Sequence, residues 1–380
     1  MTFAILTSAI LAAATPATAA PATAAPTHDF GGPRIFQDWI VGCDNGGDCH
    51  AASLPAQDDG TQDQVGDGNL RVAIRATGGE TPRLSVTLEM AEPSDPADRA
   101  RAINAIVIDG RALPIHVAVT DGAVRVENAV ARTLIVAMRN AQYVALKRTN
   151  GEEAGSASLR GLMASLHYID GQRHTYGTTA ALGRPGRVPF SYRLVPDAQP
   201  LPMVQTPPPS TAAPAHASES RIAALLATDP CGPPERGAEL IRPDYIRLDA
   251  QTTLMLLPSY CMGYNAEQRI YVLSNSGMVT PARFGPHPWD DDERGEGEAT
   301  ALPNGWWNER TRTLAGFGKS RGLGDCGQSL EFAWDVHREF RLIAYASMPE
   351  CRGSYDYITT YRATVIAAEA GATQAVHQQH

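Results

Sequence analysis

Apolar residues at every second position recur along this chain, and that period admits few folds. Leu70, Val72 and Ile74 share one face of an extended backbone, and Arg71, Ala73 and Arg75 share the other. Leu84, Val86, Leu88 and Met90 repeat the pattern against Ser85, Thr87 and Glu89. Successive side chains of a strand point to opposite faces, so such runs bury one side and wet the other. Ile106 to Ile108 end at the turn pair Asp109-Gly110. Ile115, Val117, Val119, Val124 and Val126 then resume the alternation across Asp121-Gly122, as in a meander. Two stretches carry helical spacing instead. Val130, Leu134, Ala137 and Met138 follow a capping position at Asn128, and Leu159, Leu162, Met163 and Leu166 follow Ser156 or Ser158. Both stripes are read as core packing.

A chain of 380 residues is long for one core, since domains tend to split beyond about 250 residues. From Pro196 to Ser220 repeated prolines interrupt a run without apolar periodicity. Such a run is expected to be an extended, solvated linker. It divides the chain into a β-rich part at residues 30–195 and a second part at 221–367. The second part opens on a short helical stretch, Ile222, Leu225 and Leu226, and continues as strands. Ile270 and Val272 alternate with Tyr271 and Leu273; Leu330, Phe332 and Trp334 alternate with Glu331 and Ala333. Trp307-Asn308 before Thr313-Leu314, and Trp334-Asp335 before Phe340-Arg341-Leu342, predict two hairpins with an Asx residue at each turn. The expected class is mainly β with a few helices: a sandwich-like first domain and an antiparallel second domain.

The start of the chain points to export. Residues 1–24 combine an apolar stretch, Phe3 to Ala14, with small-residue sites at Ala17-Thr18-Ala19 and Ala22-Thr23-Ala24, as in a secretory signal, although no Lys or Arg precedes the stretch. Pro16 interrupts it well short of the roughly 20 residues a membrane span needs. Residues 368–380 read as a disordered tail. The expected location is the bacterial periplasm or the medium, with no membrane span after signal removal.

Export gives the six cysteines their meaning, because an even count in an oxidising compartment reads as disulfides. Cys43 and Cys49 enclose Asp44-Asn45-Gly46-Gly47-Asp48. That spacing is too wide for a zinc pair and lacks the C-x-x-C of redox sites, so a structural bridge is expected. The other four allow three connectivities, and proximity favours Cys231 with Cys261 and Cys326 with Cys351.

The stretches "FQDWIVGCDNGGDCHAASL", "SASLRGLMASLHYIDGQ" and "LPNGWWNERTRTLAGFGKSRGLGDCGQSLEFAWDVHREFRLIAYASMPECRG" are similar to those of a bacterial exported family designated domain of unknown function 1176. The first two also resemble the invasion-associated locus B proteins, with their Trp-x-x-x-Cys start and late Ser-Leu-x-Gly helix. The resemblance implies an exported protein with three disulfides and assigns no activity.

Candidate chemistry is sparse. "GFGKSRGLGDCG", Gly316 to Gly327, fails both the P-loop and the dinucleotide spacing, since the P-loop's first Gly position is Thr313 and Gly322 falls one place late. It reads either as a tight loop that registers Cys326 or as a surface presenting Lys319, Arg321 and Asp325 to a partner. Arg352 would lie nearby through the Cys326 pairing. The acidic run 290–298 lacks the EF-hand ligand positions, which leaves a solvated loop or an irregular calcium site. Trp306 and Trp307 are adjacent on a strand and cannot both face inward, so one of them, Trp306, is a candidate binding anchor. His167 and His174, near the end of the second helix, suit surface or ligand positions equally. With three disulfides there is no free thiol. Whether folding assembles a Ser, His and Asp is left open. No catalytic residue, metal or cofactor is assigned. The net charge of -9, without a basic run, argues against nucleic acid. The expected function is non-catalytic: binding of an envelope protein partner or envelope homeostasis. The alternatives are a periplasmic hydrolase of cell-wall or glycan material and an inhibitor of a lytic enzyme.

Overall fold

The computed structural model describes residues 30–56, 70–77, 83–90, 103–113, 119–120, 123–190, 200–229, 242–288 and 300–368. Residues 1–24, Cys231, the run 290–298 and the tail beyond Ala368 lie outside them, as does the side chain of Cys261. The expectations for the signal, the Cys231 to Cys261 pairing, the acidic run and the tail therefore fall outside the described residues.

The alternating runs of the first half form strands β1 (Arg34–Phe36), β2 (Trp39–Cys43), β3 (Cys49–Ser53), β4 (Leu70–Ala76), β5 (Leu84–Met90), β6 (Ile103–Ile108), β7 (Arg111–Ala112), β8 (Val119–Thr120), β9 (Ala123–Glu127), β10 (Tyr143–Arg148) and β11 (Glu153–Ser158). They make two antiparallel sheets, ordered β1-β2-β3-β4-β5-β9-β8 and β11-β10-β6-β7. The faces carrying Val72, Ile74, Val86 and Leu88 on one sheet and Ile106, Val144 and Leu146 on the other share one core. Helices α1 (Asn128–Met138) and α2 (Leu162–Gln172) complete it.

Both helices differ in detail from the sequence reading. The buried stripe of α1 is Ala131, Leu134, Ile135 and Met138, and Val130 faces outward. Asn128 is the first helical residue, and the cap position is Glu127, whose side chain makes no cap bond. Helix α2 begins after Ser156 and Ser158, which belong to β11; the Ser158 hydroxyl donates to Asp38 instead. Its cap is Gly161 at φ 98°, where any side chain would collide with the Phe36 carbonyl.

The proline-rich run is not a free linker in the part described. Its strand β12 (Met203–Thr206) pairs in parallel with the last strand of the chain, and Val204 is buried against Ala333 and Ile343. Helix α3 (Glu219–Leu226) follows, capped by Ser218, whose hydroxyl accepts from the Arg221 N–H. Prolines forbid regular ladder donation but do not prevent a short edge strand from docking, which is why composition alone read this run as solvated.

The second half holds β13 (Asp244–Arg247), β14 (Thr252–Met262), β15 (Ala266–Ser274), β16 (Val279–Pro281), β17 (Ala301–Pro303), β18 (Trp306–Asn308), β19 (Thr313–Lys319), β20 (Gly327–Trp334), β21 (Phe340–Met348), β22 (Ile358–Arg362) and β23 (Thr364–Ala367). One sheet runs β13-β14-β15-β16, with β17 also on β15, and another runs β18-β19-β20-β21-β22. Leu254, Leu256 and Ile270 meet Leu314, Leu330, Phe332, Trp334 and Phe340 between them. Helix α3 covers the opposite face of the first sheet through Ile222 and Leu225. Both expected hairpins are present, β18 with β19 and β20 with β21. Their Asx residues act as anticipated: Asn308 accepts from the N–H of Arg310, and Asp335 from those of His337 and Glu339.

Strand β2 joins the halves. Trp39 and Val41 enter the first core, while Ile40 points the other way, into a cluster with Ala52, Leu54, Cys326, Met348 and Ile358. A strand buried on both faces reads as a continuous apolar run, and "WIV" is one. Gly42 permits the approach: an added Cβ would lie 2.6 Å from the Ile358 side chain.

Candidate functional site

Strands β19 and β20 end in register at Lys319 and Gly327, and residues 320–326 turn between them. The turn is closed by the Ser320 N–H to the Cys326 carbonyl and by the Gly324 N–H to the Arg321 carbonyl. Gly324 sits at φ 70°, in the left-handed region that glycine occupies without strain.

Three further ties hold this loop to the segment 351–357. The Cys326–Cys351 disulfide is present. The Asp325 carboxylate, fully buried, accepts from the Gly353 N–H at 2.6 Å, and the Tyr357 hydroxyl donates to the Gly324 carbonyl at 3.1 Å. The Phe317 and Tyr357 rings pack 5.4 Å apart. Burial, with Asp325 and Tyr355 adding to it, pushes the Tyr357 phenol up to about 12, so it remains a donor at neutral pH. Behind the loop, Asn265 brackets Lys319, donating to its carbonyl and accepting from its N–H. An amide side chain that supplies both partners substitutes for a strand edge.

The sequence-predicted residues separate into different roles. Arg321 forms a two-point ion pair with Asp325, Nε donating at 2.7 Å and Nη2 also in contact. That pair, foremost the hydrogen bond, lowers the Asp325 carboxyl to about 2. The buried Asp325 is therefore not free for a partner, and Arg321, still 43% exposed, braces the loop's own conformation. Arg352 lies at the seam between the halves instead of on an outer surface, bonded to Asp38 and to the carbonyls of Gln37 and Pro55. Its guanidinium finds buried acceptors there and has little surface left to present. Lys319 is half-buried, and Trp306 is 46% exposed on β18. Trp307, its neighbour, packs at the edge of the core under Arg312. His167 stacks on Tyr176 beside α2, away from this loop.

The loop and its surroundings also present large side chains that are apolar or aromatic. Leu323, at its tip, is 67% exposed, and Tyr355 and Tyr264 are 57% and 53% exposed. The Tyr264 hydroxyl donates to the Ser320 carbonyl, and its Cβ lies beside Gly322. Sequence reasoning missed both tyrosines and Leu323, because an exposed apolar residue leaves no periodic signal. Among the described residues, no three His, Cys, Asp or Glu side chains cluster as metal ligands, and no helix is long and apolar enough to cross a membrane.

The second disulfide described, Cys43–Cys49, closes the β2 to β3 turn. Bridges of this kind form and persist in oxidising compartments. Fold and loop together define a mainly β, disulfide-stapled protein whose two halves are locked at a common seam.

The chain belongs to the family described as Protein of unknown function (DUF1176), whose model matches residues 33–364. It is 25% identical over 340 residues to the uncharacterized protein YpfG of Escherichia coli strain K12, covering 84% of this chain and 88% of that one. A solved structure, invasion associated protein B from Bartonella henselae, aligns with 37% of this chain and 98% of its own at 13% identity, with a TM-score of 0.25.

Proposed function

We propose that this protein works in the bacterial periplasm, or outside the cell, as a non-catalytic binder of a protein partner, using the surface on residues 320–325. The observation that carries the reading is the conjunction of a covalently pinned loop with an exposed Leu323 on it and with exposed Tyr264 and Tyr355. Leucine and tyrosine at a water-exposed tip gain by desolvation against a partner, and a loop that is already ordered loses little entropy on binding. A loop of this shape also suits insertion into a cleft, which favours an inhibitor of a lytic enzyme as the particular form of binder. A glycan hydrolase of the usual kind would need two carboxylates facing each other across a cleft. The buried carboxylates of Asp38, Asp44 and Asp325 each hold an arginine instead.

The test is capture from envelope extract with the parent, Leu323→Ser and Leu323→Ser/Tyr355→Ser proteins. The reading requires that a partner held by the parent is lost from the variants while their melting temperature stays within about 1 °C, as expected for surface changes. Equal capture by all three proteins rejects it.

A further inference from the structure

Away from that loop, the first half contains a cavity of about 280 Å³ lined by Arg83, Arg132 and Arg173, with Leu84, Leu182 and Phe190 as its apolar wall. Among the described residues no Asp or Glu lines it. Two of the guanidiniums are fixed by backbone carbonyls. Arg132 donates to Ala180 and Ala181, and Arg173 donates to Thr77. Each leaves further donors unused by those bonds, since a guanidinium has five. Arg83 is exposed, and its side chain has no partner among the described residues.

Among the described residues no ion pair joins Asp170 to this group, although Asp170 attracts Arg132 electrostatically. Asp170, fully buried behind the wall, accepts from the Thr175 hydroxyl at 2.8 Å and from the N–H groups of Leu182 and Gly183 at 2.7 and 2.9 Å. Those bonds shape the loop that carries the acceptors of Arg132. Burial pulls the Arg132 guanidinium below its ordinary value; Asp170 opposes this and Arg173 adds a smaller push in the same direction as burial. Like charges lining one cavity repel each other, and an oxyanion between them relieves that repulsion.

We propose that this cavity is a binding site for a phosphate monoester, its doubly charged oxyanion gripped by Arg83, Arg132 and Arg173 and its carbon body resting on Leu84, Leu182 and Phe190. The planar guanidinium fork matches phosphate oxygens two at a time. Three such forks favour a dianion over a carboxylate. The site is independent of the protein-binding reading and can fail or hold without it.

The full-length protein is titrated calorimetrically with inorganic phosphate, phenyl phosphate and acetate at fixed ionic strength. Saturable binding of both phosphates is expected, phenyl phosphate more tightly because of the apolar wall, with acetate at least about tenfold weaker. Arg83→Gln and Arg173→Gln should each weaken phenyl phosphate by about tenfold, the scale of one charge-assisted hydrogen bond. Arg83→Gln removes no contact within the fold, so its melting temperature should match the parent's and a loss there cannot be misfolding. The proposal is overturned if neither phosphate saturates the protein, if acetate binds as well as phosphate, or if Arg83→Gln binds like the parent. Equal affinities of inorganic and phenyl phosphate would overturn the part assigned to the carbon body.

Discussion

Arg352 donates to the Asp38 carboxylate at 2.7 Å across 314 residues of sequence, and both side chains are more than nine-tenths buried. The pair fastens the hairpin beyond β21 to the turn before β2, beside the cluster of Ile40, Met348 and Ile358. Removing one partner of a buried pair leaves an uncompensated charge. Arg352→Ala should therefore lower stability by about 3 kcal/mol in urea denaturation. A loss under about 1 kcal/mol, as at an exposed pair, would show that the seam does not depend on it.

Gly42 lets β22 approach β2. Replacing it with Val places a Cβ 2.6 Å from the Ile358 side chain and within 3.4 Å of Thr360. Overpacking of this kind costs about 1 to 3 kcal/mol, so the variant should unfold at clearly lower denaturant. Gly32→Ala, where the added methyl meets nothing within 4 Å, is the matched control and should behave as the parent.

His50 is half-buried on β3, and desolvation, helped by Arg75 in the neighbouring strand, lowers its pKa from 6.5 to about 4. The folded state thus favours the neutral ring. Its stability contribution is complete above pH 6.5 and is lost as the pH falls from 6.5 towards about 4, where the unfolded chain takes up a proton that the folded one refuses. His50→Leu should flatten the stability profile over that interval in thermal melts.

Asp325 acts in a lower window. Its carboxyl is lowered from 3.8 to about 2, first by the Arg321 hydrogen bond and then by backbone donors including Gly353, against the cost of burial. A depressed acid contributes stability above its unfolded value, and that contribution disappears as the pH falls from 3.8 through about 2. Asp325→Asn should remove this part of the acid transition. It should also loosen residues 320–326, read as faster amide exchange at Cys326 and Gly353.

Much of the local structure was legible in the residues. Leu84 to Met90 and Leu330 to Trp334 are strands because their period is two, and the Asx residues Asn308 and Asp335 mark hairpin turns because a short side-chain acceptor closes them. The α1 stripe was displaced, with Val130 outward and Ala131 inward, because Ala carries too weak an apolar signal to register as core. The site was legible only as a glycine-rich segment beside a cysteine. Its exposed Leu323, Tyr264 and Tyr355 come from three separate segments that no linear pattern connects.

By itself, the sequence determined that this chain would be mainly β, that Cys43 would find Cys49 and that hairpins would form where they do, and it favoured Cys326 with Cys351 without excluding the other pairings. Those features rest on period, spacing and turn chemistry, which act over short stretches. Only the tertiary structure decided that Arg352 and Arg321 are internal fasteners, that the proline-rich run docks through Val204, and that three arginines face one cavity. Each of these depends on which acceptors and which apolar surfaces meet across hundreds of residues, and burial and charge pairing are properties of that meeting.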